Sequence, residues 1–192
     1  MPIRDVSPFQ FGQAVLEPIV QPVYDSVELV AATPNGQFRL FTDPTGKTAR
    51  EIFPGITTGG SLPAPRMAVV YGIREHIDED IADATQVADV KNILYSSTLT
   101  FTVGIKDYAV APSFWFPSGL GISGFQGAAL ATGSATNGVP AFHSHFSIAK
   151  RRIAIPPQQQ FSALLNVAGA AVLAENTEIW CFLDCEFGFE VQ

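Results

Sequence analysis

The sequence predicts a mainly β protein, built as a sandwich or a barrel, and two patterns carry this prediction. Short apolar runs alternate with polar residues at a period of two, which is typical of half-buried strands. Long connections rich in Gly and Pro separate these runs, and one segment alone has helical periodicity. The 192 residues are enough for one substantial domain and too few for two ordinary ones.

The first 24 residues differ in composition from the rest of the chain. Prolines at positions 2, 8, 18 and 22 oppose both a helix and a central strand. We therefore predict an extended N-terminal arm over residues 1–24, followed by a single domain over residues 25–192. Phe9 and Phe11 are the apolar anchors by which this arm would lie on a neighbouring subunit. A free terminus is the alternative interpretation.

Three strands are predicted between residues 27 and 73. The first two, at 27–31 and 37–41, flank the pair Asn35-Gly36, which is typical of a tight hairpin turn. Residues 42–65 form a long connection rich in Gly, Pro and Thr. The apolar run at 67–73 is the third strand.

One helix is predicted between strands, from about residue 79 to residue 94. Asp78 would cap it, and the acidic residues that follow suit a helix N-terminus. Val87, Val90 and Leu94 recur at helical spacing and would face a sheet.

The remainder of the chain is predicted to be all β. The apolar face of the strand after the helix comprises Leu99, Phe101, Val103 and Ile105. The apolar face of the final strand comprises Ile179, Cys181, Leu183, Cys185, Phe187, Phe189 and Val191. Two cysteines four residues apart in a strand are separated by about 13 Å, which is too far for a disulfide. We predict that both are buried free thiols.

The scarcity of charge points to association with other proteins. Charged residues make up 15% of the chain, against about 25% in ordinary soluble proteins, while hydrophobic residues reach 47%. Such a chain is expected to bury surface against copies of itself or against partners. The formal net charge of −7 argues against nucleic acid as the main ligand. The longest apolar stretch, at 163–174, is too short to span a membrane.

His143 and His145 raise the question of a metal site. On a strand, two residues at this spacing project from one face about 6.6 Å apart, which suits chelation. The cupin family uses such a pair within a small β-barrel, together with a following Glu and a later His. Here residues 149–152 are Ala-Lys-Arg-Arg, no acidic residue recurs before Glu175, and no His follows. A protein metal site needs at least three ligands, so we predict no metal and place both histidines at a subunit interface.

No catalytic site and no cofactor site is predicted. The segment "PTGKT" at 44–48 lacks the first Gly of a phosphate-binding loop and is interpreted as a turn. The segment "GISGF" at 121–125 does not fit the nucleophile motif G-x-S-x-G. The chain is therefore predicted not to be an enzyme.

The order of three segments carries a resemblance to a known family. They are "SLPAPRMAVVYGI", "VGIKDY" and the strand–break–strand corner "IAIPPQQQFS". In this order they resemble the single jelly-roll capsid and cement (decoration) proteins of icosahedral bacteriophages, over roughly residues 37–192. The resemblance implies a jelly-roll β-sandwich of two antiparallel sheets and no enzymatic activity. It also implies homo-oligomers such as trimers, contacts with other capsid proteins, and a location in the virion after synthesis in the host cytoplasm.

Two other functions remain open from the sequence alone. One is a cupin-like metal-binding enzyme that uses His143 and His145. The other is a carbohydrate-binding β-sandwich in which Trp115 and Trp180 stack against sugars. Trp180 lies in the polar register of the final strand, and we count it with the candidate interface residues because aromatic side chains are common at subunit contacts.

Overall fold

The computed structural model describes residues 16–78, 84–116, 146–147 and 152–190. Helix α1 spans Ala84–Ser96, and a 3-10 turn spans Ser113–Trp115. The strands are β1 (Leu16–Val20), β2 (Val23–Leu29), β3 (Gly36–Leu40), β4 (Met67–Asp78), β5 (Ser97–Val103), β6 (Lys106–Pro112), β7 (Phe146–Ser147), β8 (Ile153–Ile155), β9 (Phe161–Val167) and β10 (Thr177–Glu190). The mainly β architecture is confirmed: these strands form two antiparallel sheets, accompanied by a single α-helix within the described ranges.

The first sheet is four strands wide and is centred on β10 and β4, which pair with each other. β1 and β2 lie end to end along the other edge of β10, on either side of residues 21–22. β7 and β8 lie along the other edge of β4. Tyr71 is an extra residue of β4 at a bulge, which lets Val70 and Ile73 on its two sides both face the core.

The second sheet has the order β3-β9-β5-β6. Its strands alternate as the sequence predicts, and their buried residues include Leu99, Phe101, Phe161, Ala163, Leu165 and Val167. The apolar residues of both sheets, joined by Ile93 of α1, form one large core cluster. Burial of each large apolar side chain contributes about 1.5–3 kcal/mol, so this cluster is the main stabilising element of the fold. In the described parts of the chain, no helix is long and apolar enough to span a membrane.

The final strand agrees with its prediction over the residues whose side chains are described. Cys181 and Cys185 are buried free thiols on the core face of β10, as predicted. The corner between β8 and β9 also has the predicted strand–break–strand form.

The predicted hairpin around Asn35 and Gly36 is wrong, because β2 and β3 belong to different sheets. Neither residue has the positive φ that a type I′ turn requires. The Asn35 side chain instead makes two hydrogen bonds of 2.9 Å with the backbone of Ala170, between β9 and β10. A long-range contact therefore determines the path of this connection and leads the chain across to the second sheet.

The predicted helix is confirmed over residues 84–94, and α1 continues to Ser96. Asp78, the predicted cap, is the last residue of β4. β4 runs longer than predicted because Ile73 and Ile77 continue its apolar face into the core. Residues 79–83 lie outside the described ranges.

Two further differences concern chain positions near strand ends. Ile105 is fully exposed in the β5–β6 turn, because Gly104 before it adopts a φ of 63° and ends the alternation of β5. Residues 16–24, which the prediction assigned to the arm, include β1 and the start of β2, and both strands pair with β10. Residues 1–15 lie outside the described part of the chain.

The carboxylate of Asp25 links the two sheets. Asp25 lies on β2 in the first sheet and is 1% exposed. It accepts hydrogen bonds from the backbone of Phe41, which follows β3 in the second sheet, at 2.5 Å and from Lys47 Nζ at 2.5 Å. Phe41 has a φ of 66°, a strained value for a non-glycine residue, so the carboxylate holds the chain in a conformation that it would otherwise disfavour. Lys47 belongs to the predicted turn at 44–48 and also donates to the carbonyl of Ser26.

We predict that Asp25→Ala lowers the free energy of unfolding by about 3 kcal/mol, because it leaves the buried Phe41 amide without its acceptor and removes the carboxylate that pairs with the Lys47 ammonium. Urea denaturation at neutral pH measures the change. Asp43→Ala is the matched control, since Asp43 is exposed and bonds only locally to the amide of Thr45, and it should change stability little. An Asp25→Ala variant as stable as the control would contradict this role.

Candidate functional site

Of the five candidate interface residues, the structure describes only Trp180. Phe9, Phe11, His143 and His145 lie outside the described residues, so the predictions made for them stay predictions.

Trp180 is only 8% exposed and lies within an aromatic group on β2 and β10. Its ring stacks on Phe182 with centroids 6.0 Å apart, and Tyr24 lies 6.3 Å from it. Arg74 lies over the Phe182 ring at 5.7 Å and forms a 2.6 Å ion pair with Asp184. The contacts that cover Trp180 come from its own chain, and they leave little of the indole for sugar stacking.

The most exposed aromatic surface lies elsewhere, at one corner of the second sheet. We call it the corner surface, and it comprises Tyr95 (72% exposed), Tyr108 (41%), Val110 (66%), Phe114 (49%) and Trp115 (58%). The rings of Tyr95 and Phe114 are in contact, with centroids 5.5 Å apart. Large exposed apolar patches are rare on monomeric soluble proteins, and they often mark sites of contact with other molecules.

The fold places Tyr95 and Phe114 together at the junction of three elements. α1 ends at Ser96 and continues directly into β5, while β6 pairs with β5 and leads into the 3-10 turn. The end of the helix and the turn therefore meet, which brings Tyr95 against Phe114. In β6, Ala109 faces the core and Val110 faces outward, as the alternation of a strand requires.

A buried carboxyl group anchors the turn from below. Ser113, 1% exposed, donates from its hydroxyl to Glu75 Oε1 at 3.0 Å. The amide of Glu75 donates to the carbonyl of Phe116 at 2.8 Å, and the Phe116 side chain is fully buried. Ser113 and Phe116 thus fix both ends of the turn to β4, and Phe114 and Trp115 between them are held outward.

The environment of Glu75 favours its protonated form. Burial raises the pKa of Glu75 from its ordinary 4.5 to about 7, and the hydrogen bond from Ser113 offsets only part of this shift. The groups nearest to it on the neighbouring strands are Cys181, directly opposite on β10, and Asp25 beyond that on β2. Neither supplies a positive charge, and burial together with these two carboxyl groups raises the pKa of Cys181 well above its ordinary value.

A second feature is an open acidic cleft at one end of the first sheet. Glu28, Glu178 and Asp78 lie side by side on β2, β10 and β4, and Glu51 and Glu175 also line the cleft, whose volume is about 530 Å³. Like charges directly opposite one another on a sheet are destabilising. Although the cleft is acidic, no three His, Cys, Asp or Glu side chains among the residues that the structure describes are arranged to hold a metal ion.

Sequence reasoning missed most of this site. Trp115 was considered only as a sugar-stacking residue, and Tyr95 and Phe114 were not singled out. Their exposure depends on where α1 ends and on how β6 pairs, which no local pattern specifies. Glu75 did carry a signal, because it lies between Ile73 and Ile77 on a face of the strand that is otherwise apolar.

Comparison of the chain with protein-family models, with curated protein sequences and with solved structures returned no match. The function must therefore be argued from the fold and from the surfaces described above.

We predict that Glu75→Gln stabilises the protein at pH 8 by about 3 kcal/mol and has little effect near pH 4.5. The pKa of Glu75 in the folded protein lies above its unfolded value. Its contribution to stability is therefore full below about pH 4.5 and is lost as the pH rises through about 7. The glutamine of the variant is neutral throughout this pH range, so the variant does not lose this stability as the pH rises.

Denaturant unfolding between pH 4.5 and 8 measures this effect. Glu186→Gln is the control, since Glu186 is a partly exposed acid paired at 3.7 Å with Arg152, and its replacement should not raise stability at pH 8. If the wild-type and Glu75→Gln proteins showed the same pH dependence, the proposed titration of Glu75 would be wrong.

Proposed function

We propose that this chain is a structural subunit of a viral particle, either a capsid or a capsid-stabilising cement protein. It would fold as a single jelly roll and act by assembling with copies of itself and with other shell proteins. The observation that carries the proposed role is the exposed aromatic surface of a chain that is poor in charge, and the order of the strands supports the proposed jelly roll.

The strand order supports the proposed jelly roll when interrupted strands are counted together. If β1 and β2 are one strand and β7 and β8 another, the described residues form eight strands in sequence. One sheet then has the order 1-8-3-6 and the other 2-7-4-5. Among the paired strands described, strands 4 and 5 alone are consecutive in sequence. Every other connection between consecutive strands therefore crosses from one sheet to the other, as in the paired Greek keys of a jelly roll.

Jelly rolls serve viral capsid proteins, lectins and cupins, so the fold does not decide among these functions. The surface supports the first. Charged residues are scarce over the whole chain, and the five residues of the corner surface are apolar or aromatic, with Lys106 over the Tyr108 ring at 4.8 Å. A subunit of a shell needs extensive apolar contact with its neighbours and does not need a ligand pocket.

The test is the assembly state of the purified full chain. Sedimentation velocity over a wide concentration range should show self-association, and electron microscopy should show defined oligomers or shells. A protein that stays strictly monomeric at its highest soluble concentration would refute the proposal. Stoichiometric bound metal that disappears in His143→Ala/His145→Ala would instead favour the cupin-like enzyme.

We predict that deleting residues 1–15 weakens self-association without unfolding the domain. The deletion spares β1, which begins at Leu16 and pairs with β10. The double variant Phe9→Ser/Phe11→Ser keeps the full length and should reproduce the effect if these two side chains are the anchors. Unchanged association in both variants would show that the arm takes no part in assembly.

A further inference from the structure

We infer that the corner surface is a self-contact, at which the same surface of a second copy of this chain docks. This inference rests on the proposed function, because it names the surface through which assembly would proceed. Four features support it: the exposed area of the surface, the charged residues near it, the edge of β6 that disfavours strand addition, and the fixed positions of its side chains.

The exposed area suits a contact between two copies. The exposed parts of the four aromatic side chains alone provide on the order of 450 Å². Two such surfaces facing each other would bury at most about 900 Å², which is below the roughly 1,200 Å² of stable specific interfaces and within the range of weak contacts. This is too little for a permanent dimer and enough for a weak contact that is repeated many times in an assembly.

The charges around the surface suit a two-fold contact. The five residues of the corner surface carry no charge. Three charged residues lie near them in the chain: Lys91, one helical turn before Tyr95, and Lys106 and Asp107 at the start of β6. Because this set contains both signs, a second copy related by two-fold symmetry can present Asp107 towards a lysine.

The contact would form through side chains rather than by addition of strands. In the described residues β6 pairs with β5 alone, so one edge of its backbone faces away from the sheet. Lys106 and Pro112 stand at its two ends, however, and lysine and proline at a sheet edge oppose pairing with another strand. The aromatic side chains of the corner surface are then the groups left to make the contact.

The surface is already ordered before a partner arrives. Ser113 and Phe116 hold the turn from below, and Tyr95 packs on Phe114. Side chains that are fixed in advance lose less conformational entropy on binding. For a contact of modest area, this pre-ordering favours measurable affinity.

The experiment compares the concentration dependence of sedimentation for the full-length wild type, Phe114→Ser/Trp115→Ser and Val20→Ser. Val20 is the control because it is 70% exposed and lies on β1, in the other sheet. The double variant should weaken self-association about tenfold or more, as expected for aromatic residues at a contact centre. The control should leave it unchanged.

Cysteine crosslinking provides an independent readout. Phe114→Cys and Trp115→Cys, each tested alone under mild oxidation, should give a disulfide-linked dimer for at least one position, and Val20→Cys should give none. The background is low because burial raises the pKa of both native thiols, that of Cys185 to about 12.

The outcomes separate this inference from the proposed function. If the wild type self-associates and the double variant associates equally well, the corner surface is not the contact, and the proposed function stands. If the double variant melts at a lower temperature with unchanged association, the chain itself covers this surface, and the inference fails. If the wild type does not self-associate at any concentration, both fail.

Discussion

The fold depends on the link between its two sheets at the carboxylate of Asp25. β2 and β3 are consecutive in sequence yet belong to different sheets, so the chain must turn from one layer into the other. Asp25 joins the two layers beyond the end of β3, where it accepts hydrogen bonds from the amide of Phe41 and the ammonium of Lys47. A buried carboxylate is costly unless it is satisfied, and burial raises its pKa despite these donors. The strained backbone of Phe41 and the closure of the sandwich at this edge are thus stabilised by the same group.

Glu75 occupies the mirror position across β10, and burial raises the pKa of both carboxyl groups, but Glu75 has fewer hydrogen-bond donors. Asp25 and Glu75 both lie opposite Cys181 on the core face of the first sheet. Asp25 has a lysine and two backbone donors, whereas the one hydrogen bond shown for the Glu75 carboxyl comes from the Ser113 hydroxyl. Asp25 is consequently suited to a permanent structural role, and Glu75 can change charge near neutral pH beneath a surface that we assign to assembly.

The sequence predicted the positions of the strands better than it predicted which parts of the chain contact one another in space. Period-two alternation identified the strands around Leu99 and Ile179 because one face of each strand is buried, and this requirement is local. It could not reveal that Asn35 bonds to Ala170, because that contact joins residues 135 positions apart. The corner surface was missed for the same reason: it exists only where the end of α1 meets the turn after β6.

The position of β10 has a consequence for how the chain acquires this structure. β10 is the last of the described strands and also the centre of the first sheet, where β1, β2 and β4 all pair with it. During synthesis these three strands are made long before their common partner, and they remain without it until β10 has left the ribosome. Pairings over such distances in sequence make folding slow. The second sheet, whose strands are complete once β9 is made, can form earlier, so the two layers need not fold together.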